Sequence, residues 1–487
     1  MRILLKRLFK MIIGYGAVQW AGPFISLLFT KIITQIASPA DYGSAGLIYA
    51  FVTGIAAFAL YTVPTALTAH YNDNDDPAWK RRMAGSALLC GVVFGLIVGL
   101  VLFVFAPQIT LLITRDAADT SLMRLSSPLV LMLVCSTMFV STSQVAMRVR
   151  WGMLFSLTAI AASILSNVVL IVVFHLAAIG IVVAPIVSST AICLMALLVA
   201  RPLFGRPTRA SLVLLLRSSI WLLPTAISLW ILNSSDRLFL AQVVDKASIG
   251  HYEIAVKIAS LLGVLMSPLY SAITPLALSL QHDPLVKDRY VALARYLVGT
   301  ALAASLLLGL FSTEILLVLT RAEYLPAAPY VGLLTYVHVI TAIGGMLTVN
   351  QMANKRLMQL GLIMVAGAVT NLVLNAILIP WHGVWGAASA TVIGMAVPVL
   401  LSYLESRRRR ALPYPMRIFM LAIFAQIVIL WIGSWVPPMY FPARIGIKLL
   451  IFLMLPVAFV GLGLISRMEL QQGKLFIESR FKTTFSR

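Results

Sequence analysis

Three cationic side chains stand inside long apolar runs of this 487-residue chain: Lys31, Arg237 and Lys257. An ionisable group at membrane depth is costly and marks a functional position by default. A guanidinium offers phosphate oxygens a rigid fork of donors, and an ammonium offers a mobile point charge. Three such groups at one level would form an anion-binding collar. Lys31 lies before Ser38 by seven residues, ~10 Å from the end of its run at the helical rise per residue. Arg237 follows Asn233, Ser234, Ser235 and Asp236, a strongly polar stretch in an apolar run, and Asp236 offsets part of the positive charge. Lys257 comes about two turns after Gly250. Glu253 precedes Lys257 at the i,i+4 spacing that favours a pair. Each candidate also has a structural reading. The lysines can snorkel to the headgroups, and Asp236 with Arg237 can be a structural ion pair.

Other polar groups join them. Tyr15, Gln19, Ser26 and Thr30 recur at helical spacing and make one stripe on the first run. That stripe either lines a water-filled cavity or packs against a neighbouring helix. Arg148 and Arg150 end a run on its basic side, where they either receive an anionic headgroup or anchor the topology. Glu314 and His338 are candidates for ion coupling, since histidine titrates near physiological pH. Packing is the other reading of a single intramembrane histidine. Cys90, Cys135 and Cys193 lack metal-ligand spacing and read as small buried hydrophobes. Neither a metal nor another cofactor is expected.

The elements that must hold these residues are membrane spans. The chain is 61% hydrophobic and 11% charged, with mean hydropathy +0.98, a balance no water-soluble domain needs. A helix of about 20 apolar residues crosses the hydrocarbon core. The runs mark fourteen spans, near 10–36, 43–68, 84–106, 125–146, 152–174, 177–200, 214–243, 250–276, 291–312, 327–352, 357–379, 383–404, 416–434 and 444–465. The first is longer than the about 7–15 residues of a signal-peptide core, so it reads as an uncleaved span. Of the 37 lysines and arginines, 28 cluster in every second gap between runs. Short loops rich in Lys and Arg stay in the cytoplasm, which puts both termini there. Charge divided into small loop clusters suits anionic lipid rather than nucleic acid.

The chain also repeats. Gly43 falls on Gly250 at an offset of 207, in stretches that match from 29–50 to 236–257. LLITR at 111–115 recurs as LVLTR at 317–321, and Asn167 recurs as Asn371. The stretch 178–190 recurs at 382–394. Gly43, Gly250, Gly180 and Gly383 are each expected to open a helix after a tight turn, and the intramembrane prolines to bend helices. The expected fold is all-α and integral to the membrane. Two pseudo-symmetric six-helix bundles, in parallel repeat, occupy 1–205 and 206–410, and two further helices with a basic cytoplasmic tail fill 411–487.

That layout and three motifs resemble a known family. Pro39, Asp41, Tyr42 and Gly43 are similar to its proline–acid–Tyr–Gly turn. Asp236-Arg237 followed by Ser248-Ile249-Gly250-His251-Tyr252, and the stretch from Pro380 to Ala388, also resemble its pattern. The family is that of bacterial polysaccharide and oligosaccharide-lipid flippases, including the O-antigen translocases, in the multidrug/oligosaccharidyl-lipid/polysaccharide exporter superfamily. The resemblance implies a transporter and not an enzyme, in the bacterial cytoplasmic (inner) membrane. It would move an undecaprenyl-diphosphate-linked oligosaccharide from the cytoplasmic to the periplasmic leaflet by alternating access, driven by an ion gradient. Lys31, Arg237 and Lys257 would hold the diphosphate, with Asp236, Asn233, Tyr15, Gln19 and Thr30 around them, and Arg148 and Arg150 would admit it. Gln144, Asn350, Gln351 and Asn354 would bond glycan hydroxyls. Membrane lipids, and a polymerase and chain-length regulator of the same pathway, would be partners of a monomer.

Three alternatives stay open. A flippase for the peptidoglycan lipid precursor shares the layout. A drug/cation antiporter of the same superfamily would need acids deep in the first bundle, where none stands. A membrane glycosyltransferase or polymerase would use the acidic cluster at 72–76, but that cluster sits beside Lys80, Arg81 and Arg82 in a loop read as cytoplasmic.

Overall fold

The computed structural model describes residues 26–279, 286–353, 357–408, 414–437 and 441–464. It is helical throughout, because a backbone that meets lipid must satisfy its own hydrogen bonds. The first bundle runs α1 (Ser26–Ile36), α2 (Pro39–His70), α3 (Pro77–Val104), α4 (Ala106–Thr114), α5 (Thr120–Val145), α6 (Val149–Asn167) and α7 (Ala177–Val199). The second runs α8 (Arg209–Val243), α9 (Lys246–Ser279), α10 (Val286–Leu310), α11 (Ser312–Leu319), α12 (Ala328–Ala353) and α13 (Leu357–Arg408). Then come α14 (Met416–Ser434), α15 (Phe441–Phe452) and α16 (Met454–Gly461).

Among the described residues, twelve helices are long and apolar enough to cross a membrane. α13 is one of them, and its 52 residues would reach about 78 Å unbroken, more than twice a bilayer core. Gly383 breaks it, with φ 53° and ψ −126°, a conformation that glycine adopts without the Cβ clash. Two spans therefore share α13, so thirteen of the fourteen expected spans have a counterpart among the described residues, and most of the first expected span lies outside them.

Local chemistry sets the helix starts. Ser38 caps α2: its hydroxyl accepts from the Asp41 amide at 3.2 Å, and the Asp41 carboxylate accepts from the Ser38 amide at 3.2 Å. Pro39 follows at the first helical position. Asp76 with Pro77 starts α3, and Thr208 with Ser211 forms the same reciprocal box at α8. The acidic cluster is consumed locally, with Asp73 on His70, Asp75 on Lys80 and Asp76 on Arg82.

The glycine expectation needs correction. Gly43 and Gly250 do not open their helices, because the chain is already helical from Pro39 and from Lys246. They lie about a turn inside, where α2 crosses α9. A Cβ on Gly43 would collide with the Lys246 carbonyl oxygen, and one on Gly250 with that of Pro39. Pro39 and Lys246 are themselves separated by 207 residues, so the crossing is reciprocal about a pseudo-twofold axis. Gly180 likewise lies inside α7, pressed against Ile171.

The reciprocity extends outward at this end of the molecule, here termed the outer end. Arg115 donates from Nη1 to the Gln242 carbonyl at 3.2 Å, and its repeat mate Arg321 donates to the carbonyl of Gln35, the mate of Gln242, at 3.3 Å. A core of Leu47, Ile48, Val52, Ile249, Tyr252 and Leu316 joins both bundles there. α8 runs beside α2 along its length, with Trp230 against bare Gly54 and Ser218 on His70 at the far end.

α14 to α16 dock on the second bundle. Gln426 donates to Ser305 at 2.8 Å within a second apolar core that includes Phe419, Leu455 and Phe459. Glu314 on α11 receives Arg444 Nε at 2.5 Å and Lys448 Nζ at 2.8 Å from α15.

Candidate functional site

Beneath the glycine crossing, α8 presents Asp236 and Arg237 on adjacent positions, 2% and 7% exposed. Burial of both charges requires partners, and each has several. Arg237 donates from Nε to Glu253 Oε1 at 2.6 Å, and from Nη1 to the Asn233 carbonyl at 2.6 Å and to Asp236 Oδ1 at 3.0 Å. Its guanidinium carbon lies 5.7 Å from the centre of the Tyr252 ring, within cation–π range. Nη2 has no hydrogen-bond partner among the described residues.

Asp236 completes the arrangement on its other side. Its Oδ2 accepts from the Tyr252 hydroxyl, and the Thr391 hydroxyl lies 3.1 Å away. From the position just before it, the Ser235 hydroxyl reaches Asn371 Oδ1 at 3.0 Å, and Asn375 Nδ2 donates to that same oxygen at 3.0 Å. Asn371 and Asn375 are fully buried, yet Asn371 Nδ2 and Asn375 Oδ1 have no partner among the described residues. α8, α9 and α13 thus enclose a polar cluster inside the second bundle.

Glu253 pairs with Arg237 rather than with Lys257. The guanidinium reaches from α8 to one carboxylate oxygen, while Lys257 turns its Nζ to 3.5 Å from the Tyr42 hydroxyl on α2. Arg237, Glu253, Lys257 and Tyr42 therefore converge at the junction of the two bundles. Lys31 stands exposed on α1 and makes no hydrogen bond or ion pair with them. Thr30, its neighbour, is buried and donates to the Ser26 carbonyl at 3.0 Å, within its own helix. Asn233 is exposed, its side-chain amide on the Leu229 carbonyl. Tyr15, Gln19 and Asn354 lie outside the described residues.

The remaining candidates stand apart. Arg148 and Arg150 are exposed, Arg148 over the Trp151 ring. Glu314 is held by Arg444 and Lys448. His338 is half-buried, its ring packed where Gly263 leaves room on α9. Sequence reasoning did not single out Tyr252, Thr391 or Asn375 as site residues. The signal was partly present: Asn371 and Asn375 stand at i,i+4 in an otherwise apolar run, on one helix face.

A cavity of about 260 Å³ opens at the outer end beside the crossing, lined by Ser44, Arg115, Gln242, Val244, Lys246 and Ile249 among others. Lys246 spans the bundles there, 2.7 Å from Asp116 and 2.8 Å from Asp119.

Two pseudo-symmetric helical bundles meeting at a buried charge cluster define a membrane protein with the fold of the exporter superfamily. An inward-facing multidrug-resistance transporter of that superfamily superposes with TM-score 0.65 at 16% identity, over 81% of this chain and 98% of that one. The lipid II flippase MurJ, in an inward closed conformation, superposes with TM-score 0.68 at 15% identity, over 93% of this chain and 98% of that one. A superfamily transporter from Pyrococcus furiosus gives 0.60 at 15% identity, over 83% of this chain and 95% of that one. The sequence profile of the polysaccharide biosynthesis protein family matches residues 32–296, more than half of the chain, and the protein belongs to that family. No curated protein sequence matches it significantly.

Proposed function

We propose that this protein is a flippase that carries an undecaprenyl-diphosphate-linked oligosaccharide from the cytoplasmic to the periplasmic leaflet of the bacterial inner membrane. The observation that carries the reading is Arg237, a buried guanidinium at the junction of the bundles with one nitrogen, Nη2, still without a partner. A buried cation with spare donors suits a phosphate. Lys257, which makes no ion pair among the described residues, adds a second positive charge beside it. Membership of a polysaccharide biosynthesis family supports a glycan cargo. Both termini are read as cytoplasmic, so the outer end faces the periplasm, and the reciprocal contacts there correspond to a periplasm-closed state. Lys31, Tyr15, Gln19, Thr30 and Asn233 would meet the substrate along its path, and Arg148 and Arg150 would gather its headgroup. The protein acts as a monomer, beside a polymerase and a chain-length regulator.

Ion coupling is assigned to the polar cluster around Asp236 in preference to Glu314 and His338. Glu314 is already neutralised by two cations. Asp236 pairs with one cation, Arg237, and lies beside a neutral cluster in which Asn375 Oδ1 is a buried oxygen with no donor among the described residues. Hard cations take such oxygen ligands.

In a strain that depends on this protein for surface glycan, Arg237→Ala should abolish glycan export while the protein still reaches the membrane. Wild-type glycan levels would sink the diphosphate reading. Rescue of cells depleted of their lipid II flippase, without rescue of surface glycan, would transfer the assignment to the peptidoglycan precursor.

A further inference from the structure

Glu253 occupies the edge of Arg237 that a phosphate would use. A guanidinium binds an oxyanion side-on through Nε and Nη2, in two parallel hydrogen bonds. Glu253 takes the Nε position at 2.6 Å with one oxygen, and leaves Nη2 unbonded among the described residues. The opposite edge, through Nη1, is held by Asp236 and the Asn233 carbonyl. So one edge of the guanidinium is fixed to the protein and the other is held by a single contact.

The surroundings of Glu253 fit an exchangeable partner. Its repeat mate is Gly46, at the same offset of 207, and Gly46 lies directly against it. A Cβ on Gly46 would come within 2.9 Å of Glu253 Cγ, so α2 presents bare backbone where α9 presents the carboxylate. Glu253 is therefore wedged between the two bundles, at their junction. Its side chain keeps 14% of its surface accessible, whereas that of Asp236 keeps 3%. Lys257, a turn further along α9, hydrogen-bonds the Tyr42 hydroxyl at 3.5 Å and forms no ion pair among the described residues.

We propose that Glu253 is a resident counter-anion that holds the diphosphate position of Arg237 until substrate displaces it. The inference rests on the diphosphate reading above. A one-point carboxylate contact yields to a phosphate that engages Nε and Nη2 together and reaches Lys257. A halide, with no second acceptor atom to fill the fork, does not displace it. The released carboxylate leaves the wedge at Gly46, which ties headgroup arrival to loosening of the bundle junction. Its return favours release of the headgroup once the path has opened outward.

The test uses the full-length protein in lipid nanodiscs with undecaprenyl diphosphate as the probe. Glu253→Gln, which keeps the shape and removes the charge, should bind the probe about tenfold tighter, the scale of one charge-assisted hydrogen bond removed from the competition. Surface glycan export by the same variant should fall. Glu253→Asp, which draws the carboxylate back by one methylene, should tighten binding by less, and it serves if the glutamine variant does not fold. Unchanged or weaker binding by folded Glu253→Gln, with Arg237→Ala still abolishing binding, overturns the counter-anion role and leaves the diphosphate reading standing. Absence of probe binding by the wild type overturns the diphosphate reading itself, and this inference with it.

Discussion

Asp236 shows what one buried carboxylate is asked to do. It accepts from Arg237, Tyr252 and Thr391 at once, and is almost wholly removed from solvent. Removing one partner from a buried charge network leaves the others uncompensated, at a cost of about 3–5 kcal/mol. Asp236→Ala should therefore lower the thermal unfolding temperature in detergent well below that of Asp236→Asn, which preserves shape and acceptor capacity on one oxygen. Equal unfolding temperatures would show that the network does not depend on those bonds. The presence of Asp236 and Arg237 in an apolar run was legible in the sequence, because charge is so rare there. Their partners were not. Glu253 stands at i,i+4 from Lys257, yet bonds to a residue sixteen positions away on another helix. Spacing along one helix describes its neighbours on that helix, while a buried guanidinium selects among helices. Lys31 illustrates the same limit: depth in the span was readable, but not the face of α1 it occupies.

The helix crossing of α2 and α9 depends on two missing side chains. A methyl group on either glycine meets a backbone carbonyl, which cannot rotate away as a side chain would. Overpacking of this kind costs about 1–3 kcal/mol. Gly43→Ala or Gly250→Ala should separate the outer ends of the two helices. Ser44, 6% exposed beside the crossing, supplies the readout. In a chain whose three native cysteines are replaced, Ser44→Cys should react slowly with an aqueous maleimide, and faster when either glycine substitution is added. An unchanged rate would mean the crossing tolerates the methyl. The repeat told where these glycines correspond, but their role as helix openers was misread. The capping chemistry of Ser38, Asp41 and Pro39 already sufficed to start α2, leaving Gly43 free to serve a contact that no local pattern reveals.

Across the whole molecule, the internal repeat became a set of reciprocal contacts, and the spans among the described residues followed from hydropathy. The departures from symmetry were not legible. Tyr324 packs against Tyr42 and donates to the Ala37 carbonyl, filling the junction on one side. Its mate is Ala118, and the mates of Tyr42 and Ala37, Ile249 and Val244, line the 260 Å³ cavity on the other side. There the bundles are tied by Lys246 to Asp116 and Asp119 instead. The hydrogen bond from Lys246, with the Ala118 amide and the lysine charge, lowers the Asp116 pKa from 3.8. A lowered folded-state value means the tie contributes fully above the ordinary aspartate range and is lost as pH falls through the lowered value. Lys246→Ala should therefore unfold at lower temperature than wild type near neutral pH, and the gap should close only below about pH 4. A gap that persists undiminished in strong acid would assign the lysine's contribution to something other than this ion pair.

Neither Gly43 nor Gly250 brings a charge to the crossing, so dissolved salt has nothing there to screen. The contact rests on shape and on main-chain atoms alone. Lys246 and its two aspartates lie within reach of mobile ions, whose screening length is about 8 Å at physiological ionic strength. A rise in salt therefore slackens one edge of the junction and leaves its centre unaltered. The outer end is closed by a middle indifferent to ionic strength and one margin that responds to the ions around it.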